Sequence, residues 1–227
     1  MKNPFNNLRE RLYQRFVHKF YARDLLLDLQ LQAKRETLEY INNNMRHCVI
    51  CRNRKALFEY ALAHADRAGL NAEFGVAQGA SIRLLSKLVN DTVYGFDSFL
   101  GLPEDWAGTT ERRGGFAGRP KRLPGNVSIH EGAFSESLPA FLADHDQPVR
   151  FMHVDCDLYS STRTVFSLMA PRIGPGTVIV FDEYFNYPNW QEHEYKAFQE
   201  FIRESGRNYS YLAFSARGGS VAVKISD

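Results

Sequence analysis

The stretch EFGVAQGAS, residues 73–81, decides the fold. Glu73 and Phe74 close a strand-like run, Gly75 and Gly79 bracket a turn, and a helical pattern begins near Ser81. Strand, glycine turn and helix form the opening unit of an α/β domain, and open parallel sheets bind ligands at the carboxyl ends of their strands. The glycine spacing is not G-x-G-x-x-G, which argues against a dinucleotide pyrophosphate. An acid beside the turn would repel phosphate. It suits a ligand with an amino group, such as S-adenosylmethionine, which also carries a cationic sulfonium. The other reading of Glu73 is a carboxylate satisfied inside a tight turn.

Further runs rich in β-branched and aromatic residues follow: TVYGFD (92–97), NVSIH (126–130), VRFMHV (149–154) and TVIVFD (177–182). Helical patterns (SIRLLSKLV, SESLPAFLADH, SSTRTVFSLMA) separate most of them. Such alternation predicts βαβ units and a parallel sheet buried on both faces. After a helix over 191–205, YSYLAFSA and SVAVKIS, joined by RGG, read as a terminal antiparallel hairpin. Between Asp97 and Asn126 the chain is rich in Gly, Pro and Arg, without a convincing helix. Long irregular loops in compact domains are usually lids or mobile segments.

The first 45 residues read as helices. Phe5, Leu8, Leu12, Phe16 and Phe20 line one face, and Arg9, Arg11, Arg15, Lys19 and Arg23 the other. Such a helix either packs on its own domain with a solvated basic face or makes a dimer contact. HCVIC (47–51) holds a C-x-x-C with no second pair, so Cys48 and Cys51 are expected as ordinary thiols on a helix rather than zinc ligands.

A length of 227 residues fits one domain, 1–227, with 1–65 as a helical N-terminal extension. Hydrophobic content of 44% with 24% charged residues is ordinary for a globular chain. A formal net charge of +2 is too small to argue for nucleic acid as a partner. No apolar run reaches the roughly 18 to 20 residues of a membrane span, and the first residues show no apolar h-region. Three cysteines suggest no disulfide framework, so the expected setting is reducing and cytoplasmic.

The predicted strands end on acids. Asp97 stands where nucleoside-binding α/β folds place a carboxylate for two ribose hydroxyls, with Ser98 beside it; the alternative is a turn-forming Asx. Gly132 and Phe134, after the third run, can flank an adenine, or Phe134 can be core. VRFMHV ends on Asp155 and Asp157, one residue apart. Asp157 can N-cap the following helix, or the pair can bind a cation, face a methionine amino group or take a proton. Tyr184, Tyr187, Trp190 and His193 are expected to wall an acceptor pocket, with His193 an alternative base.

EFGVAQGAS, YGFDSFLGLPEDW, GAFSESLP, HVDCDLYSST and PGTVIVFDEY, in this order, resemble the macrocin O-methyltransferase family over about residues 70 to 200. These are class I S-adenosylmethionine-dependent enzymes that methylate sugar hydroxyls of natural products. The resemblance implies a Rossmann-like sheet of seven strands, mostly parallel, with the last strand antiparallel and helices on both faces. It implies S-adenosylmethionine bound by Glu73, Phe74, Gly75, Gly79, Ser81, Asp97, Ser98, Gly132, Phe134 and Asp155. It also implies magnesium on Asp155, Asp182 and Glu183, with Asp157 as base. Asp182-Glu183 departs from the usual Asp-Asp pair. A phenol-methylating, catechol-type enzyme would carry Asn after Asp182; a cofactor-binding subunit without turnover would not need the acids. The expected partners are a small-molecule or glycan hydroxyl acceptor and a second copy of the chain through the N-terminal helices. The loop around Arg112, Arg113, Arg119, Lys121 and Arg122 is either a grip for an anionic acceptor or a solvated lid.

Overall fold

The computed structural model describes residues 4–227. An eight-stranded sheet organises them, in the order β1-β7-β8-β6-β5-β2-β3-β4. The strands are β1 (Val49–Cys51), β2 (Leu70–Phe74), β3 (Val93–Asp97), β4 (Val127–Glu131), β5 (Val149–Val154), β6 (Val178–Phe181), β7 (Asn208–Ser215) and β8 (Val221–Ser226). Only β8 runs against the rest, antiparallel to both β6 and β7, as expected of a reversed last strand. The helices are α1 (Pro4–Phe16), α2 (Leu25–Asn44), α3 (Arg54–Ala63), α4 (Ala80–Leu88), α5 (Phe134–Asp144), α6 (Tyr159–Met169) and α7 (Glu194–Ser205).

Both faces of the sheet are covered, and alternation along the strands separates two cores. Phe151, Val178 and Val180 pack with Leu57 and Phe58 of α3 and Ile82 and Leu85 of α4. Their neighbours Met152, Ile179 and Phe181 face the other way, toward Phe166 of α6 and Phe198 and Phe201 of α7. β6 is buried along its length and β5 at every position but Arg150, which is why they read as largely apolar runs.

Two expectations about the N-terminal region are corrected. HCVIC is not helical: Val49, Ile50 and Cys51 pair in parallel with Ala213, Phe214 and Ser215, adding an eighth strand at the edge. Residues 49–63 therefore supply β1 and α3 to the sheet and its cover, rather than a purely helical extension. Nor does α1 pack its apolar face on the domain, since Leu8 and Leu12 are 56% and 58% exposed. The side chains of Phe5 and Phe20 lie outside the described residues. Residues 25–44 are helical as expected, and the amino-terminal part of α2 also presents Leu25, Leu26 and Leu29 to solvent. Among the described residues no helix is long and apolar enough to cross a membrane. Cys48, Cys51 and Cys156 are free thiols.

The glycine turn after β2 is sterically fixed. Gly75 has φ +92°, and a Cβ there would lie 1.7 Å from the Asp155 carbonyl oxygen. The backbones of the β2 and β5 ends thus meet at the one point where no side chain fits.

Candidate active site

A cavity of about 500 Å³ opens over the carboxyl ends of β2, β3, β5 and β6. Three of its sides come from predicted positions: Gly75, Asp97 with Ser98, and Gly132 with Phe134. Asp155, Asp157, Asp182 and Glu183 form an acidic side. The volume lies within the usual range for small-molecule and cofactor sites.

Asp97 is held firmly. Its Oδ2 accepts the N–H groups of Val76 and Ala77 at 2.8 and 2.7 Å, and Oδ1 accepts that of Phe99 at 2.7 Å. The carboxylate so fixes the glycine turn and the start of the loop while still lining the cavity. Phe134 lines the cavity with Phe74 packed edge-on behind it.

Asp157 does not cap α6. The cap position is Leu158, and no side chain bonds the helix end. Asp157 has φ +62°, a left-handed conformation that Asp and Asn tolerate better than most residues. Its N–H is held by the Glu194 carboxyl. Burial, then the charges of Asp182, Glu111 and Asp97, push its pKa up to about 7. Burial and the charges of Asp182 and Asp157 likewise push Glu183 up to about 8. Burial first, and then Asp182, raise Asp155 well above the usual carboxylate range.

Several predicted residues lie elsewhere. Glu73 is fully buried, accepting hydrogen bonds from Ser81 Oγ at 2.9 Å and from His153 Nδ1 at 3.0 Å. The reading of Glu73 as a carboxylate satisfied within the protein is the one the structure shows, and neither Glu73 nor Ser81 reaches the cavity. Phe74 is core, stacked on Phe96. Gly79 is the left-handed residue before α4, facing Pro120 and Leu123 of the loop.

His193 is not placed as a base. Its Nε2–H donates to the Ala107 carbonyl at 2.9 Å, its Nδ1 is buried without a partner, and burial lowers its pKa. It ties the loop to the start of α7. Tyr184, Tyr187 and Trp190 are buried in the core and do not line the cavity. The loop 98–125 takes their place, with Leu102, Pro103, Trp106 and Phe116 as the apolar wall. Leu102 and Gly115, Trp106 and Glu111, and Ser160 and Glu104 bond the loop to itself and to α6. Two of its five cations are ion-paired: Arg119 pairs with Glu131, and Arg112 lies 3.7 Å from Asp105. None of them lines the cavity.

Four residues that the sequence reading passed over complete the centre. His153 sits between Glu73 and Asp182, its Nε2 at 3.9 Å from Asp182, too long for a hydrogen bond but close enough for charge to act. Burial opposes its protonation, yet the neighbouring carboxylates raise its pKa to about 10, so it is an imidazolium. Asp182 also receives Arg54 on Oδ2 and the Ser220 hydroxyl, at 3.0 Å, on Oδ1. Burial alone would raise Asp182; His153 and Arg54 outweigh it and hold the carboxyl below its ordinary value. Glu194, fully buried, accepts the N–H groups of both Asp157 and Glu183 at 3.2 Å.

Among the described residues, the set whose ligand atoms come within 4.8 Å of one another is His153, Asp155 and Asp182. Of the implied metal triad, Asp155 and Asp182 are therefore together, and Glu183 stands outside that set. Glu73 holds His153 through Nδ1, and Asp155 and Asp182 supply the carboxylate oxygens of the three.

Residues 72–184, just under half of the chain, match the family model described as a methyltransferase domain. No curated protein sequence matches the chain. Among solved structures, the calicheamicin methyltransferase CalS11 superposes with a TM-score of 0.60 at 19% identity, over 99% of this chain and 94% of that one. Its apo form, described as a TDP-rhamnose 3′-O-methyltransferase, gives 0.56 at 17% identity over 99% and 96%. The O-methyltransferase NovP gives 0.61 at 19% identity, over 77% of this chain and 80% of that one. At these identities the likeness is one of fold: the chain has the class I methyltransferase fold, and residues 72–184 within it match the methyltransferase-domain model.

Proposed function

We propose that this chain, a methyltransferase by its domain and its fold, transfers the methyl group of S-adenosylmethionine to a hydroxyl of a sugar or sugar-containing natural product, with Asp157 as base. The observation that carries the reading is the position of Asp157. Its carboxyl caps no helix and lines the same cavity as Gly75, Asp97 and Phe134.

S-adenosylmethionine supplies, when bound, an electrophilic methyl group on a sulfonium. The chain supplies the rest. Gly75 lets the backbone approach the ligand, Asp97 and Ser98 offer acceptors for ribose hydroxyls, and Gly132 and Phe134 form a slot suited to an adenine. A sugar hydroxyl is a weak nucleophile at neutral pH, and a carboxylate poised near pH 7 can take its proton as the new bond forms. The apolar wall of Leu102, Pro103 and Trp106 keeps water from the reacting oxygen.

A divalent cation belongs to the proposal. The donor chemistry fits a hard ion: Asp155 and Glu183 line the cavity with carboxyls whose pKa values stay raised, through burial and neighbouring acids, despite His153 and Arg54 nearby. Asp155 and Asp182, with Glu183 beside them, would hold it, and it would lower the pKa of an acceptor hydroxyl. A phenolic acceptor is disfavoured by Glu183, where catechol-type enzymes carry Asn. The sugar acceptor draws support from CalS11, a TDP-rhamnose 3′-O-methyltransferase. The homo-oligomer draws support from the exposed leucines of α1 and α2, and light scattering after gel filtration tests it. The free thiols fit a cytoplasmic setting.

Binding of S-adenosylhomocysteine is expected to raise the melting temperature by mass action. Labelled methyl transfer to a panel of nucleotide-sugars and glycosides tests the acceptor. No shift with saturating S-adenosylhomocysteine would overturn the cofactor, and transfer confined to phenols would overturn the sugar.

A further inference from the structure

The cations of the loop do not line the first cavity, but arginines gather on another part of the same sheet edge. A second cavity, of about 380 Å³, is lined by Arg52, Asn53, Arg54, Ser215, Arg217 and Ser220. Its walls come from segments far apart in the chain. Arg52 follows β1, Arg54 opens α3, Ser215 closes β7, and Arg217 and Ser220 belong to the turn between β7 and β8. The parallel pairing of Cys51 with Ser215 brings the two segments side by side, and a hydrogen bond from Ala216 N–H to the Cys51 carbonyl, at 2.7 Å, fixes them.

The charge of this cavity is one-sided. Arg54 is paired with Asp182. Among the described residues Arg52 and Arg217 have no carboxylate within ion-pair distance, and no acid lines the cavity. Two guanidinium groups with free donors and a third anchored in place are the recognition chemistry of phosphate oxygens; the hydroxyls of Ser215 and Ser220 are already donated, to the Arg217 carbonyl and to Asp182, and leave recognition to the arginines. The positive end of α3, which begins at Arg54, adds to the same field.

The two cavities share a wall. Asp182 lines the first, while its hydrogen-bond partners Arg54 and Ser220 line the second. We propose that the arginine cavity binds a phosphate or diphosphate group, and that this group belongs to the acceptor, which makes the acceptor an anionic sugar derivative. The second half rests on the methyl-transfer reading above; the first half does not.

The test is calorimetric titration of the full chain, saturated with S-adenosylhomocysteine, with thymidine diphosphate, inorganic pyrophosphate and glucose 1-phosphate as probes. Binding of at least one probe is expected without displacement of S-adenosylhomocysteine. In Arg52→Ala/Arg217→Ala the probe's Kd is expected to rise at least tenfold, with the S-adenosylhomocysteine Kd unchanged as proof of an intact fold. Tight binding of thymidine diphosphate alone assigns a nucleotide-sugar. Equal binding of pyrophosphate assigns recognition to the phosphates, and binding of glucose 1-phosphate a sugar phosphate. Binding of no probe, displacement by S-adenosylhomocysteine, or equal affinity in the double variant would overturn the site. Failure of S-adenosylhomocysteine to bind the wild type, with probe binding intact, would sink the cofactor reading and leave the anion site standing.

Discussion

Glu194 holds Asp157 from the start of α7: its Oε1 accepts the Asp157 N–H at 3.2 Å, while Oε2 accepts the N–H of Glu183. One buried side chain therefore sets the backbone of both acidic loops, those after β5 and β6. A carboxyl offers an acceptor at each oxygen; an amide offers only one. Glu194→Gln is expected to release one loop and to lower kcat by up to about 10²-fold, the scale of an ångström-sized misplacement. The KM for S-adenosylmethionine should change much less. An unchanged kcat would remove Glu194 from this positioning role.

Asp157→Asn keeps the side-chain shape and the tolerance for positive φ but cannot take a proton. A loss of about 10²- to 10⁴-fold in kcat is expected, the usual contribution of a general base. The melting temperature should stay close to that of the wild type at pH 5, because the carboxyl caps nothing, and exceed it at pH 8, where the wild type carries the buried charge. Turnover within a few-fold of wild type would reject Asp157 as the base.

The stability of the protein in EDTA should fall as pH rises from about 4.5 to about 8. Asp157 and Glu183 titrate near 7 and 8 in the folded chain, against 3.8 and 4.5 when unperturbed. Across that window the native state holds more protons than the unfolded one, so raising pH favours unfolding. His153, raised from 6.5 to about 10, acts in the same direction above pH 6.5. Thermal melts at closely spaced pH values measure the slope. Magnesium is expected to raise the melting temperature more at pH 8 than at pH 5, and curves indifferent to magnesium would count against the cation.

His153→Leu removes the cation between two buried carboxylates and leaves Glu73 with only the Ser81 hydroxyl. Breaking a buried pair from one side typically costs about 3–5 kcal/mol. Urea titration should show a loss of that order. The Kd for S-adenosylhomocysteine should persist in the folded fraction, since His153 does not line the cavity.

His193→Asn, which frees the loop from α7, is expected to raise the acceptor KM without moving the pH profile of kcat. A lost or shifted basic limb would return His193 to consideration as a base.

Much of the frame could be read from the chain because the central strands are buried on both faces and so appear as largely apolar runs. The acids at their carboxyl ends followed, and Asp97, Asp155, Asp157, Asp182 and Glu183 do share one cavity. What escaped depended on distant pairing. VIC is three residues long, and its strand conformation rests on Ala213, Phe214 and Ser215. Glu73 looked like a ligand because its partner His153, its neighbour in register on β5, is 80 residues away in sequence. Tyr184 and Trp190 carry the same side chains whether they wall a pocket or fill a core; only their burial separates the two. Arg52 and Arg217 gave no local signal at all.

The shortness of β1 has a consequence for how molecules of this chain meet. An edge strand exposes unpaired peptide groups on which another chain can add a strand, a common start of aggregation. Here that edge is three residues long, and at the opposite edge Glu131 of β4 is ion-paired to Arg119. The β1 edge is therefore a poor template, and the homo-oligomer proposed above would form on the helical surfaces, where contacts between side chains can form and dissolve without recruiting the backbone.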